Sequence, residues 1–498
     1  MPVHMFWTKK RDLMPDSLQA IVALLDQHFY LLVLTAFVLS AAESVVLVGA
    51  LVPGTALLLA LGAGAAIWDL PLWPIVAAAI TGAIAGDGLS YGIGRWKGDR
   101  LLSWASDGRM HQLVERGHDF MERHGGKSVF FARFVPGVRA IVPVAAGISG
   151  LAPGRFFAAN VASAFIWAPA HILIAAAAGH QISLAGPEAE RIAILIGVVF
   201  GVIVLSITAL QILLFRVIPW LNGLRRRAAM ALRDGDASKS RSAVLALLEP
   251  DGGLRTLIIL AVPLGFFAWA FGALADEVLE QGELMRFDQA VSLFFTDLRT
   301  TASNHVMVVI TAFGDFTAML AATVALALAF VATRQPKLGL GAAAIMGIAG
   351  AVSAGLKAMF AIPRPTDLYE GAQAFSFPSS HATSAATLFA LLAWIAWAGL
   401  SEPWRHRLPA IFAGMAGLIA ASRLYLAAHW PSDIAGGLLL GAGLVTLFGI
   451  AFRHQPPKRA GLVLAIAICA FSAVGTWHAV STMSEAMIRY ELIAPGKA

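Results

Sequence analysis

The sequence predicts an all-α, polytopic integral membrane protein. Two observations of composition and one of pattern carry that assignment. Hydrophobic residues make up 58% of the chain and charged residues 13%, where a soluble domain carries about 25% charged residues. Mean hydropathy is +0.75. Apolar runs recur along the whole length, long enough for a hydrocarbon core of about 30 Å. The 498 residues leave room for two or more domains. The net charge of +6 and the pI near 9.6 do not argue for nucleic acid, because the basic residues sit in short loops between apolar runs. Cys469 is the one cysteine and lies in an apolar run, so no intramolecular disulfide forms.

Taken in order, the first apolar run, 18–40, follows Lys9, Lys10 and Arg11. It is too long for a signal h-region and reads as an uncleaved first span. The run 43–66 is interrupted by Leu51-Val-Pro-Gly54, and the run 129–150 by Phe134-Val-Pro-Gly137. In each, a further glycine follows ten residues later, at Gly64 and Gly147. Proline with glycine breaks a helix. Broken backbone at membrane depth is tolerated only inside protein or along a wet cavity. Two such segments in related positions are the sequence sign of a transporter with internal repeats, so both read as re-entrant hairpins. Spans are expected at 72–94, 155–180 and 190–218. Between about 97 and 127, Lys97, Arg100, Arg109, Arg116, Arg123 and Lys127 mix with Leu, Phe and Met. That pattern reads as an amphipathic helix on the inner leaflet or as a solvated loop helix. The polar stretch 221–252 holds Arg225, Arg226, Arg227, Arg233, Lys239 and Arg241 and reads as a cytoplasmic linker. Beyond it, spans are expected at 253–275, 304–331, 338–360, 380–399, 408–425, 433–452 and 459–482.

Charge then sets the sides. The loop after 275, with Asp276, Glu277, Glu280 and Glu283, reads as outside. Arg334 and Lys337, Arg405 and Arg407, and Arg453, Lys458 and Arg459 read as inside. Three polar blocks then fall on the outer face, all between Lys357 and Asp433. The first is Lys357-Ala-Met-Phe-Ala-Ile-Pro-Arg364-Pro365, the second Pro378-Ser379-Ser380-His381. The third runs from Ser422-Arg423 through His429 to Asp433.

Residue types give these blocks their chemistry. Lys357, Arg364 and Arg423 supply three fixed positive charges, suited to a phosphoryl group with its several equatorial oxygens. Ser379, Ser380 and His381 open an apolar helical run whose first N–H groups can face an anion. One histidine can attack phosphorus and the other can protonate the leaving oxygen. Asp433 is close enough to His429 to hold one imidazole nitrogen and leave the other free. Pro431 fits the first turn of the helix that follows. Singly, Lys357 reads equally as a snorkelling helix-end lysine, and His429 with Asp433 as a structural pair. Jointly they do not, since a charge at a helix centre costs roughly 2.5–3.5 kcal/mol and several ionisable groups at span ends mark a polar site.

Lys-x6-Arg-Pro, Pro-Ser-x-His and Ser-Arg-x5-His-x3-Asp together resemble the three-part signature of the type 2 phosphatidic acid phosphatase superfamily, which also includes vanadium haloperoxidases. The likeness covers about 255–455. It implies that His429 is a nucleophile forming a phosphohistidine, that Asp433 orients it and that His381 is the general acid. Lys357, Arg364, Ser379, Ser380 and Arg423 would bind phosphate, with no metal or cofactor. Ser380 departs from the usual glycine, at a position that contributes mainly backbone. The run 459–482 adds one span to the six usual for that fold.

The first half is similar to the DedA family, also called the SNARE-associated or VTT domain. The likeness rests on Glu43, Pro53-Gly54, Gly86-Asp87 with Tyr91 and Gly94, Arg133-Phe-Val-Pro136-x-x-Arg139, Asn160 and Trp167, and covers about 20–215. It implies movement of a lipid phosphate across the bilayer, with Glu43, Asp87, Arg133 and Arg139 as transport residues. Many members carry a second acid after Pro-Gly, where this chain has Thr55.

The expected domains are therefore 1–220, a DedA-like transport domain; 221–252, the linker; 253–455, the phosphatase; and 456–498, an extra helix and tail. The expected function is a phosphatase of a bacterial inner membrane, its site facing the periplasm. Its expected partners are a lipid phosphate or diphosphate and the bilayer, with undecaprenyl diphosphate first among substrates; a homo-oligomer is left open. The alternative is a phosphatidylglycerophosphate or phosphatidate phosphatase fused to a scramblase without coupling.

Overall fold

The computed structural model describes residues 23, 27–45, 54–104, 127–134, 139, 141–212, 223, 253–280, 282–366 and 374–492. The expected linker at 221–252, most of the basic stretch 97–127 and the start of the first span lie outside the described residues. Among them the protein is helical, with one isolated bridge, Pro363 to Phe375, in place of any strand. Among the described residues nine helical stretches are long and apolar enough to cross a bilayer, so this is a multi-pass membrane protein. The chain divides into two compact units, Met1–Gly197 and Val198–Ala498.

The first unit is built on α1 (Phe29–Ser44), α2 (Gly54–Ile67), α3 (Leu72–Trp104), α4 (Lys127–Ala132), α5 (Val142–Ile148) and α6 (Pro153–Leu184). Helix α7 (Pro187–Ile212) carries the boundary to the second. Neither interrupted run forms a continuous span. The first is divided between α1 and α2, and the second between α4 and α5, of six and seven residues, each roughly 10 Å long and far short of a bilayer. Small residues seat the helices. In lipid, association gains little from apolar burial and depends on close backbone approach. Gly82 and Gly86 of α3 lie against the backbone of α1, and Gly94 of α3 meets Gly147 of α5, with no room at any of them for a Cβ. Leu58, Ile75, Trp167 and Ile172 fill one core and Val142 and Phe156 a second.

The second unit runs through α8 (Gly253–Glu280), α9 (Glu283–Asp297), α10 (Thr301–Ala312), α11 (Phe316–Ala332), α12 (Pro336–Phe360), α13 (Ser380–Gly399), α14 (Trp404–Tyr425), α15 (Pro431–Ala451) and α16 (Ala460–Arg489). Helix α13 is the hub and packs on α12, α14, α15 and α16. The core joins Leu326, Leu338, Leu388, Phe412, Phe448 and Phe471.

Two expectations are corrected. The span expected at 304–331 is present as Thr301–Ala332, but as two helices, α10 and α11, separated at Phe313-Gly314-Asp315. The cause is steric: a Cβ on Gly314 would stand 2.7 Å from both the His381 ring and Ile419, so backbone occupies space that a helix with side chains would need. The acidic stretch after 275, read as a loop, is helical: α8 continues to Glu280 and α9 follows. Helix α9 buries Asp288, Ser292 and Phe295 on one face and exposes Phe287 and Leu293, the reverse of a helix facing water.

Candidate functional site

Four helix ends converge in the second unit. Lys357 is in the last turn of α12, which stops at Ala361 in a left-handed conformation (φ 52°). Ser379 is the N-cap of α13. Arg423 is in the last turn of α14, and Pro431 opens α15 with Asp433 in its first turn. The Ser379 N–H donates to the Asp433 carbonyl at 3.0 Å, which ties the second block to the third.

His429 and Asp433 are both buried, and His429 Nδ1 lies 3.1 Å from Asp433 Oδ2. The same oxygen accepts the Trp430 N–H at 2.8 Å, so the carboxylate caps α15 and fixes the imidazole at once. The other ring nitrogen, Nε2, lies 3.0 Å from Arg364 Nη1. Burial, then the charges of Arg364, Lys357 and Arg423, hold the His429 pKa well below its ordinary value, so the ring is neutral. A neutral imidazole held at Nδ1 offers a lone pair at Nε2.

The cations are anchored rather than loose. Lys357 donates to the carbonyls of Phe375 and Ser376, both at 2.8 Å. An ammonium has three donors, so one is left for an anion. Arg423 is 1% exposed, and its Nη1 donates to Thr311 at 2.8 Å and Tyr490 at 2.7 Å. Ser380 meets Ser353 at 3.0 Å. His381 Nε2 lies 2.8 Å from Asp315 Oδ1.

Sequence reasoning missed several partners of the site, Thr311 and Ser353 among them. Asp315 lies at the interruption, and its Oδ2 is 2.9 Å from Nε2 of His478 on α16. Tyr490 comes from the end of the same helix. Asp288 of α9 accepts the Ser432 N–H at 3.1 Å and the Ser432 hydroxyl, which seats the start of α15 beside Asp433. Burial raises the Asp288 pKa. Among the described residues no three His, Cys, Asp or Glu side chains gather as a metal-ligand set.

The first unit holds a second cluster. Arg139 Nη1 donates to Glu43 at 2.8 Å and reaches Thr55 at 3.4 Å, while Thr55 donates to the same carboxylate. The Arg139 guanidinium lies 4.7 Å from the Trp167 ring centroid. Arg133 is bonded to Asp87 and Asn160, and Asn160 donates to the Ile84 carbonyl at 3.2 Å. Glu43, Asp87, Arg133 and Asn160 are all buried. Gly54 is required here, since a Cβ would fall 2.7 Å from the Glu43 carboxylate. Both interrupted runs therefore meet through side chains, Glu43 and Thr55 on one and Arg139 on the other.

Residues 52–177 match the VTT domain family and residues 338–459 the PAP2 superfamily. The chain is 33% identical over 174 residues to Protein DedA of Escherichia coli (strain K12), covering 34% of this chain and 76% of that protein. It is 30% identical to the inner membrane protein YabI of the same strain over 28% of this chain and 56% of that protein. A transmembrane PAP2 type phosphatidylglycerolphosphate phosphatase from Bacillus subtilis, a solved structure, is 25% identical with a TM-score of 0.34, covering 39% of this chain and 98% of that one.

Proposed function

We propose that this chain, which belongs to the DedA family and carries a PAP2 superfamily domain in its second half, is a membrane lipid phosphatase whose product is moved across the bilayer by its DedA-type half. One observation carries the reading: a buried, neutral His429, held at Nδ1 by Asp433, presents Nε2 toward Arg364 in a site that also holds Lys357 and Arg423.

The chemistry follows from that arrangement. His429 Nε2 attacks phosphorus, the P–N bond forms and the bond to the leaving oxygen breaks. His381 gives its proton to that oxygen. Water then attacks the phosphohistidine, His381 takes a proton from it, and inorganic phosphate departs. Lys357, Arg364 and Arg423 stabilise the equatorial oxygens as charge shifts, the part a divalent metal plays elsewhere. The N-terminus of α13 at Ser379 and Ser380 adds backbone donors. The positive-inside pattern favours an outer-face site.

The substrate we favour is undecaprenyl diphosphate, whose tail stays in the bilayer while its head reaches the site. Its product, undecaprenyl monophosphate, carries a head that crosses hydrocarbon only at high cost. The cluster of Glu43, Asp87, Arg133 and Arg139 supports a carrier role, because buried charges at interrupted backbone suit a polar passage. Fusion raises the effective concentration of product at the carrier.

The test is phosphate release by purified protein from undecaprenyl diphosphate, phosphatidylglycerophosphate and phosphatidate, with chelator present. Release from the first, lost in His429→Ala, supports the reading. Preference for either phospholipid replaces the substrate, and undiminished release by His429→Ala refutes the mechanism. In proteoliposomes, wild type moves labelled undecaprenyl monophosphate between leaflets, and Arg133→Ala or Arg139→Ala does not. Normal transport by those variants removes the carrier role.

A further inference from the structure

The general acid of the proposed reaction has its own support, and that support comes from outside the matched phosphatase domain. The PAP2 match ends at residue 459, and α16 begins at Ala460; it also begins at 338, beyond Asp315. Yet His381 faces Asp315, and Asp315 faces His478 of α16. The distances are 2.8 Å from His381 Nε2 to Oδ1 and 2.9 Å from His478 Nε2 to Oδ2. We infer that Asp315 and His478 are positioning residues for His381, and that α16 is therefore part of the catalytic apparatus rather than an accessory span.

Packing brings these groups together. The break at Gly314 lets backbone sit against the His381 ring, and it turns Asp315 toward Nε2. On α16, a Cβ at Gly475 would stand 2.5 Å from the Phe313 ring, so that glycine admits the break against the helix. Phe471 packs on Phe313 with ring centroids 5.3 Å apart. His478 lies one turn beyond Gly475, at the carboxylate. The side chains of Asp315, His381 and His478 keep 28%, 18% and 16% of their exposure, so the row is not sealed within the helices.

The proton inventory gives the row a task. An ionised carboxylate only accepts, so each imidazole nitrogen facing Asp315 carries its proton. That fixes His381 with Nε2 protonated and Nδ1 as the nitrogen that exchanges a proton with the leaving oxygen and later with water. When His381 carries both protons, the carboxylate stabilises the cation. When Nδ1 has given its proton away, the same bond holds the ring in place, as the carboxylate of a Ser-His-Asp triad holds its histidine. His478 occupies the second oxygen and keeps the carboxylate from turning away.

This assignment rests on the phosphatase reading, and one experiment separates the two. Turnover is measured on phosphatidate, whose leaving oxygen is an alkoxide that needs a proton, and on p-nitrophenyl phosphate, whose leaving oxygen does not. General acid catalysis contributes about 10²–10⁴-fold. Asp315→Asn is expected to lower the phosphatidate-to-aryl ratio of kcat at least about thirtyfold, and His478→Ala at least about fivefold, with KM for phosphatidate within about threefold of wild type. The ratio does not depend on how much of a variant is folded. Wild-type turnover with an unchanged ratio in both variants overturns the assignment and leaves the phosphatase reading standing. No turnover of any phosphate by wild type overturns both.

Discussion

Replacing Arg133 with leucine removes the bonded partner of the Asp87 carboxylate, whose one further neighbouring cation, Arg139, is paired with Glu43 instead. Arg133 is 4% exposed and Asp87 7%, so water cannot stand in for the lost guanidinium. Breaking a buried pair from one side costs about 3–5 kcal/mol, because the surviving charge stays desolvated and unpaired. At about 2–4 °C per kcal/mol for a unit of this size, Arg133→Leu lowers the melting temperature by roughly 6–20 °C. Asp87→Leu does the same, since Arg133 is then the orphan. The double variant recovers most of the loss, because two apolar side chains replace two charges whose desolvation was itself costly. The Arg139–Glu43 pair provides an internal control. On the side-chain measure its arginine keeps 15% exposure against 3% for Arg133, the two acids being alike at 10%, and Thr55 still reaches Glu43, so Arg139→Leu costs less than Arg133→Leu. The assay is thermal unfolding in detergent, followed by loss of monodisperse protein, for both single variants and the double variant. Additive losses at positions 87 and 133 would refute the argument, as would Arg139→Leu proving the more damaging.

Three further outcomes are expected. The acid limb of kcat/KM lies below pH 6.5, the ordinary histidine value, because neutral His429 is the active form and its lowered pKa delays protonation as pH falls; Arg364→Ala removes a neighbouring cation, so the limb moves up toward 6.5, and an unmoved limb counts against the role of Arg364. Vanadate inhibits wild type as a mimic of the five-coordinate phosphorus, and Arg423→Ala weakens that inhibition at least about tenfold, read from inhibition curves. Gly314→Ala forces the His381 ring or Ile419 aside, lowering kcat for phosphatidate by about tenfold or more while vanadate still binds; full activity in Gly314→Ala would mean that the ring tolerates the shift.

The parts of the fold that were legible in the sequence share a physical cause. Apolar runs ending in cations or Pro-Gly announce themselves locally, and Lys357, Arg364, His381, Arg423, His429 and Asp433 lie at such ends at short spacings. The structure brings them to one place through α12, α13, α14 and α15. Asp315 was not legible for the opposite reason. It follows a single glycine inside a long apolar run, and nothing local distinguishes that glycine from one tolerated within a helix. Its partners lie 66 and 163 residues away. Tyr490 was hidden in the same way, at the end of a span that sequence spacing leaves without a role. Helix α9 escaped because the usual signal is inverted: Asp288 and Ser292 are buried, Asp288 seating α15, while Phe287 and Leu293 are exposed. At Thr55 the departure from the DedA pattern was visible, but its meaning was not. The hydroxyl joins the Glu43–Arg139 pair, and Asp87 is the acid that neutralises the second arginine.

The two buried clusters differ in how their charges are paired, and on the proposed reading that difference separates their tasks. In the first unit two carboxylates, Glu43 and Asp87, face two guanidiniums, Arg139 and Arg133, so the cluster is neutral with every charge matched. An anionic head group can enter such a cluster only by displacing a carboxylate or by arriving together with a proton that neutralises one, because an extra unpaired charge in a buried site is expensive. In the second unit Lys357, Arg364 and Arg423 gather around the neutral His429, and Asp433 already serves that histidine. The carboxylates of Asp433, Asp315 and Asp288 are each held by protein partners, which on the phosphatase reading leaves the three cations to a bound phosphate. On the phosphatase reading the second cluster holds a phosphoryl group while its bonds change. On the transport reading the first lets a phosphate go, since its own carboxylates compete for the same arginines and keep the product from being trapped midway.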